Sequence, residues 1–200
     1  MAKKLYFRYG AMNSGKSTSL LQAAHNYEER GQNIVIAKPT TDTKDDKVLS
    51  RLGVSREVDF PVYPDTDVFE EFSKMLDASI AAGKAVDCLI VDEAQFLESE
   101  QVDGLFMIAV KLNVPVLAYG IRTDFQTKAF TGSLRLLELA HSLEELKTIC
   151  RCGSKAMFNG RIINGEYVRT GDQVAIDGKQ ATYESLCGPC YLEKVGPLSS

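Results

Sequence analysis

The sequence predicts an α/β protein: a parallel sheet flanked by helices, followed by a small C-terminal β-rich module held together through cysteines. Three observations predict it. Strand-like and helix-like segments alternate through about residue 150. The first turn among them, GAMNSGKS at residues 10–17, has the pattern of a phosphate cradle. After Cys150 the helical periodicity fades, glycine becomes frequent, and four cysteines fall in two close pairs. The expected divisions are a core over 1–149, a cysteine-bound module over 150–192, and a tail over 193–200 that is expected to be disordered.

The elements follow from the pattern in order. KLYFRY (4–9) reads as the first strand, and Leu20, Leu21 and Ala24 supply the apolar face of a helix from Ser17 to about Arg30, with Gly31 as its stop. NIVIAK (33–38) is a second strand. PTTDTKDDKVLSR (39–51) has no sustained apolar period and reads as a mobile surface loop. Val68, Phe69, Phe72, Leu76 and Ile80 recur at helical spacing. DCLIVD (87–92) is the next strand, 99–111 a helix, and VPVLAYG (114–120) a strand. A helix near 132–140 and a strand LKTIC (146–150) close the series. In the module, Asn164-Gly165 between two β segments predicts a two-residue hairpin turn.

Composition narrows the class. Hydrophobic residues make up 44% and charged residues 25% of 200, which suffices for a sizeable core. The formal charge of −4, with no block of Lys or Arg, argues against a protein whose main work is gripping a nucleic-acid backbone. No apolar run is long enough for a signal peptide or a bilayer span, so the expected compartment is the cytoplasm. Five cysteines fit that compartment as thiols or metal ligands rather than disulfides.

The cradle has a reason for each residue type. Gly10 and Gly15 let the backbone bend so that the N–H groups of Ala11, Met12, Asn13 and Ser14 can turn toward phosphate oxygens. Lys16 would reach the β- and γ-phosphates and the Ser17 hydroxyl would bind Mg²⁺, at the positive end of the helix that follows. The strand CLIV ends on two adjacent acids, Asp92 and Glu93. Asp92 fits the carboxylate that helps hold Mg²⁺ in such sites. Glu93, one residue on, would accept a proton from whatever attacks the γ-phosphate, water in an ATPase or a hydroxyl in a kinase. A helix cap or a surface ion pair is the plainer alternative for Glu93.

Cys150-x-Cys152 and Cys187-x-x-Cys190 suit a closed tetrahedral Zn²⁺ site with a structural role, in a module too poor in apolar residues to fold on burial alone. Cys88 reads as a small buried side chain. His25 and His141 lie in helical segments and carry no expected ligand role, Met107 reads as core, and Arg122 has a phosphate-neutralising and an ion-pair reading of equal weight.

GAMNSGKS, IVDEAQF, YGIRTDFQ (119–126), ICRCG and CGPC occur in that order, and with them the sequence resembles the type II thymidine kinases, the zinc-containing family with a RecA-like core. The likeness spans all but the last few residues. It implies ATP on residues 10–17 with Asp92 assisting Mg²⁺, Gln95 beside the nucleotide, and Glu93 as the base for the 5′-hydroxyl of thymidine, with deoxyuridine as a further acceptor. It places Phe125 against the thymine ring. It also implies a lasso-like loop closing over thymidine, here Val174, Ala175, Ile176, Asp177 and Gly178, with Tyr183 nearby. Asp177 stands where the family often has glycine, and the first cysteine pair is C-x-C where some relatives have C-x-x-C. The resemblance further implies a homotetramer, feedback inhibition by thymidine triphosphate, and a place in nucleotide salvage for DNA synthesis. Two other readings were open on the motifs alone. A nucleic-acid-stimulated ATPase would need a second core, and a nucleoside monophosphate kinase would carry its cysteines in mid-chain.

Overall fold

A computed structural model describes residues 3–40, 47–49, 53, 55–173 and 181–198. The chain opens with β1 (Leu5–Tyr9), α1 (Lys16–Glu28) and β2 (Ile34–Pro39). A small antiparallel pair, β3 (Lys47–Leu49) and β4 (Ser55–Glu57), precedes β5 (Phe60–Val62) and α2 (Val68–Ala81). Then come β6 (Cys88–Val91), a 3-10 turn at Ala94–Phe96, α3 (Ser99–Lys111), β7 (Val116–Gly120), α4 (Thr131–Leu139) and β8 (Ser142–Glu145). Strands β5-β2-β6-β7-β1-β8 form one six-stranded sheet in which every pairing is parallel.

Side-chain alternation decides which helix covers which face. Val35, Ala37, Leu89, Val91, Val116 and Ala118 point to the face packed by α2, α3 and α4, where Phe72, Leu105, Ile108 and Leu136 are buried. The residues between them, Ile34, Ile36, Cys88, Ile90, Leu117 and Tyr119, meet Leu20 and Ala24 of α1 and Val48 of β3. Strands buried on both faces read as unbroken apolar runs, which is why β6 and β7 were legible.

The structure corrects several expectations. The sheet's last strand is β8, SLEE, not LKTIC. Edge strands need no apolar run, and β8 is held by backbone pairing to β1 and by the Arg8–Glu144 ion pair at 2.8 Å. Proline hid β5: it lacks an N–H and is tolerated only where no ladder bond is needed, and here Pro61 is exposed on an edge strand while Phe60 and Val62 are buried. Part of the stretch expected as loop is β3, whose Val48 is buried. Residues 41–46 of that stretch lie outside the described residues.

The C-terminal module starts at β9 (Thr148–Ile149), paired antiparallel with β10 (Lys155–Ala156). A three-stranded antiparallel sheet follows, β11 (Phe158–Ile163) between β12 (Glu166–Val168) and β13 (Thr182–Leu186), and α5 (Gly188–Lys194) closes it. Asn164 and Gly165 join β11 to β12 with φ of 52° and 83°, the double left-handed turn the dipeptide predicts. The expected boundaries shift at both ends. Thr148 already pairs within the module, and α5 runs past 192, with Val195 buried in the module's core beside Leu186 and Tyr191.

Helix α4 crosses the 3-10 turn closely enough that a Cβ on Gly132 would stand 2.5 Å from the carbonyl oxygen of Ala94 and 2.7 Å from that of Leu97. On an open helix, glycine to alanine gains about 1 kcal/mol. Here Gly132→Ala is expected to cost about 1–3 kcal/mol through overpacking, read as a lower urea midpoint at constant m-value. A gain in stability would refute the close approach.

Candidate active site

The cradle is built where the sheet leaves no room for side chains. A Cβ on Gly10 would stand 2.6 Å from the carbonyl oxygen of Leu146 and clash with the Ser14 hydroxyl. Asn13 and Gly15 take left-handed backbone angles, φ 66° and 77°, which turn the loop into α1. Gly15 caps α1 without a side-chain bond and no acid lies in the first turn, so the helix's first N–H groups face the loop. The Lys16 ammonium donates to the carbonyl of Ala11 at 3.0 Å.

Met12 ties the cradle to the module. Its N–H donates to Asn159 Oδ1 at 2.7 Å, and its carbonyl accepts from the Ser185 hydroxyl. Asn159, on β11, is buried and uses its amide N–H on the carbonyl of Thr123 at 2.9 Å. One side chain thus joins the cradle, the loop after β7 and the module.

Strand β6 delivers the two acids, although β7 lies between it and β1. Asp92 is only 4% exposed, and its N–H continues the sheet ladder to Ala37. Burial, and secondarily the charge of Glu93, push its carboxyl up to about 6, against the pull of the Glu93 N–H and of Lys38 and Lys16. Glu93 then takes φ 48° and ψ 36°, a left-handed conformation uncommon for a residue with a long side chain. Beyond the turn its carboxylate meets Gln95, whose Nε2 donates to it. The orientation of that amide is fixed. Gln95 is buried, and its Oε1 accepts the Ile121 N–H at 3.2 Å, so only its N–H₂ end can face Glu93.

A cavity of about 930 Å³ lies between the cradle, the end of β6 and the module. Of the sequence-predicted residues, Met12, Asn13, Gly15, Lys16 and Ser17 line it from the cradle side, and Glu93 and Gln95 from β6. Phe125 and Tyr183 form part of the opposite wall. Gly10, Ala11, Ser14 and Asp92 are not on its surface. Val174, Ala175, Ile176, Asp177 and Gly178 lie outside the described residues. Lining residues that sequence reasoning missed include Lys38, Asp124, Asn159 and Gln173. Asn159 and Gln173 carry no local signal, because their facing depends on how β11 and the chain after β12 dock on the core.

The four paired cysteines meet in the module, their sulfur atoms all within 4.8 Å of one another. A tetrahedral ion with sulfurs about 2.3 Å away sets them about 3.8 Å apart, and Cys152 and Cys187 stand at 3.5 Å. Hydrogen bonds led by Ser154 draw the Cys152 thiol down to about 6. Hydrogen bonds to Cys187, Cys152 and Cys150 push Cys190 up to about 12. Sulfurs that cannot all ionise together without a cation suit a metal site. His25 instead faces Glu29 on the surface. His141 stacks on Phe106 and accepts the Leu5 N–H.

Asp92 gives the site a pH signature. Its folded value lies above the ordinary 3.8, so its charge counts against folding increasingly as pH rises to about 6, and fully above that. Asp92→Asn is therefore expected to stabilise the nucleotide-free protein by about 2–3 kcal/mol at pH 8 and by little at pH 4. Urea unfolding at the two pH values reads the difference, and an equal effect at both would overturn the assignment.

A thymidine kinase family model matches residues 3–191. The thymidine kinase of Enterobacteria phage T4 is 47% identical over 186 residues, covering 92% of each chain. That of Haemophilus influenzae is 44% identical over 198 residues, covering 98% of this chain and 99% of its own. That of Shewanella oneidensis is 45% identical over 195 residues, covering 95% and 97%. With the family match spanning residues 3–191 and relatives of 44–47% identity over nearly the whole chain, the chain belongs to the thymidine kinase family.

Proposed function

We propose that the protein transfers the γ-phosphoryl group of ATP to the 5′-hydroxyl of thymidine, and of deoxyuridine, giving the nucleoside monophosphate and ADP. The observation that carries this reading is Glu93: its carboxylate is held by Gln95 on the wall of the same cavity that contains Lys16 and Phe125. An acceptor placed against Phe125 and Tyr183 would present a hydroxyl between the base and the cradle.

In the proposed reaction the 5′-oxygen forms a bond to the γ-phosphorus as the bond to the β–γ bridging oxygen breaks, and the hydroxyl proton passes to Glu93. Residues 10–17 hold the phosphates through backbone N–H groups, and Lys16 with the α1 N-terminus takes up the charge that develops on them. Ser17 and Asp92 are the residues that would hold Mg²⁺, which neutralises phosphate charge when bound. Asp92 has a reason to be buried there, since a carboxylate poor in solvent gains most from a cation.

Zn²⁺ is the metal that the four sulfurs suit, and with all four positions taken by protein its role is structural. Under this reading the core ends just before Thr148 and the module follows it. The homotetramer, inhibition by thymidine triphosphate, and the contact of residues 174–178 with thymidine rest on the family resemblance. Among the described residues no helix is long and apolar enough to cross a membrane.

Product identification with and without thymidine tests the reading. Thymidine monophosphate is expected in step with ADP, whereas ADP formed equally fast without thymidine would make water the acceptor. Glu93→Gln is expected to lose at least about 100-fold in turnover while still binding ATP, and retention of a tenth of the activity would sink its role as base. Purified protein is expected to contain about one zinc per chain, and substantially less by elemental analysis would count against the site.

A further inference from the structure

Among the described residues of the module, Arg161 is the one charged side chain that is buried, and neither the fold nor the cysteine cluster accounts for it. It lies on β11, is 3% exposed, and does not line the cavity. A buried guanidinium is costly unless its N–H groups are satisfied, and its usual partner is a carboxylate. Among the described residues, none of its partners is a carboxylate. Its Nε donates to the Tyr183 hydroxyl at 2.9 Å, Nη1 to the carbonyl of Asp172 at 2.7 Å, and Nη2 to that of Gln173 at 2.8 Å. The guanidinium lies flat enough on Phe125 that its carbon is 3.8 Å from the ring centroid.

These partners come from three parts of the chain. Phe125 follows β7, Asp172 and Gln173 follow β12, and Tyr183 is on β13. Phe125, Gln173 and Tyr183 all line the cavity, so one side chain behind the wall fixes three residues on its surface. Two further bonds close the same seam: Gln173 Nε2 to Asp124 Oδ2 at 3.1 Å, and Gln126 Nε2 to the carbonyl of Gly171 at 2.6 Å. We propose that Arg161 is a positioning residue for the nucleoside: it sets the wall of Phe125, Gln173 and Tyr183 that receives the base. Lysine cannot replace it, because an ammonium has neither the planar face that rests on Phe125 nor a fork reaching three oxygens at once.

The proposal rests on the thymidine kinase reading, and its test separates the two. Wild-type protein that makes no thymidine monophosphate refutes that reading. With active wild-type protein, Arg161→Lys and Arg161→Met are compared in steady-state kinetics with thymidine and ATP each varied. The Met variant keeps the apolar length of the side chain but removes the donor for the Tyr183 hydroxyl and for the carbonyls of Asp172 and Gln173, whereas the Lys variant keeps the charge and one donor group. Both are expected to raise KM for thymidine by at least about tenfold, the scale of lost hydrogen bonds to a charged group. KM for ATP is expected to stay within about twofold, and both variants to keep a cooperative melting transition and the metal content of wild type. Unchanged thymidine KM in Arg161→Met overturns the proposal. So does a parallel rise in both KM values or a loss of metal, since either marks a general structural role.

Discussion

The site depends on a backbone constraint at the end of β6. Two carboxylates leave the sheet on consecutive residues, and in extended chain they would simply alternate between its faces. The left-handed angles of Glu93 break that alternation. Asp92 stays in the ladder and in the dark beneath the cavity, while Glu93 turns into the open space and meets Gln95. The same turn brings the carbonyls of Ala94 and Leu97 against α4, where only glycine fits. A strained residue persists only where its surroundings over-determine it, and here a sheet strand, a buried amide and a helix do so together.

Around that corner the cavity is a joint product of core and module. The core supplies the cradle, the acids and Phe125. The module supplies Tyr183, the Asn159 and Ser185 bonds to Met12, and the chain that carries Gln173. The cysteine cluster stands behind these elements, between the β9–β10 hairpin and α5. Tyr191 of α5 reaches back to donate to the carbonyl of Phe125 at 2.6 Å. The module is therefore part of the site's wall, and its cysteine cluster bears on the geometry of that wall.

What the sequence made legible had a local physical cause. Glycine and lysine spacing in GAMNSGKS, the apolar run of β6, the Asn-Gly turn and the paired cysteines each need only near neighbours to form. The helices over 68–81 and 99–111 were equally plain, since most of their apolar period is buried, although Ile80 and Val110 are exposed. What stayed hidden was decided at long range. β8 is a strand because β1 offers it an edge, and β5 survives its proline because, among the described residues, no strand pairs on its outer side. Glu93 gives no hint of its left-handed angles, a conformation that glycine or asparagine would have advertised. Asn159 and Arg161 look like ordinary polar residues of FNGRII, and only the docking of β11 on the core turns them inward.

The Met12 clasp also has a consequence in time. Its partners lie 147 and 173 residues further along the chain. Proteins emerge from the ribosome from the N-terminus at about 5–20 residues per second, so the loop waits for β11 and β13 before its backbone is satisfied. Every strand of the core sheet precedes β11 and β13 in the chain, so the sheet can close while the pocket still lacks Asn159, Gln173 and Tyr183. Truncated or stalled chains would thus expose an unfinished nucleotide loop, a state that chaperones and proteases can distinguish from the finished protein.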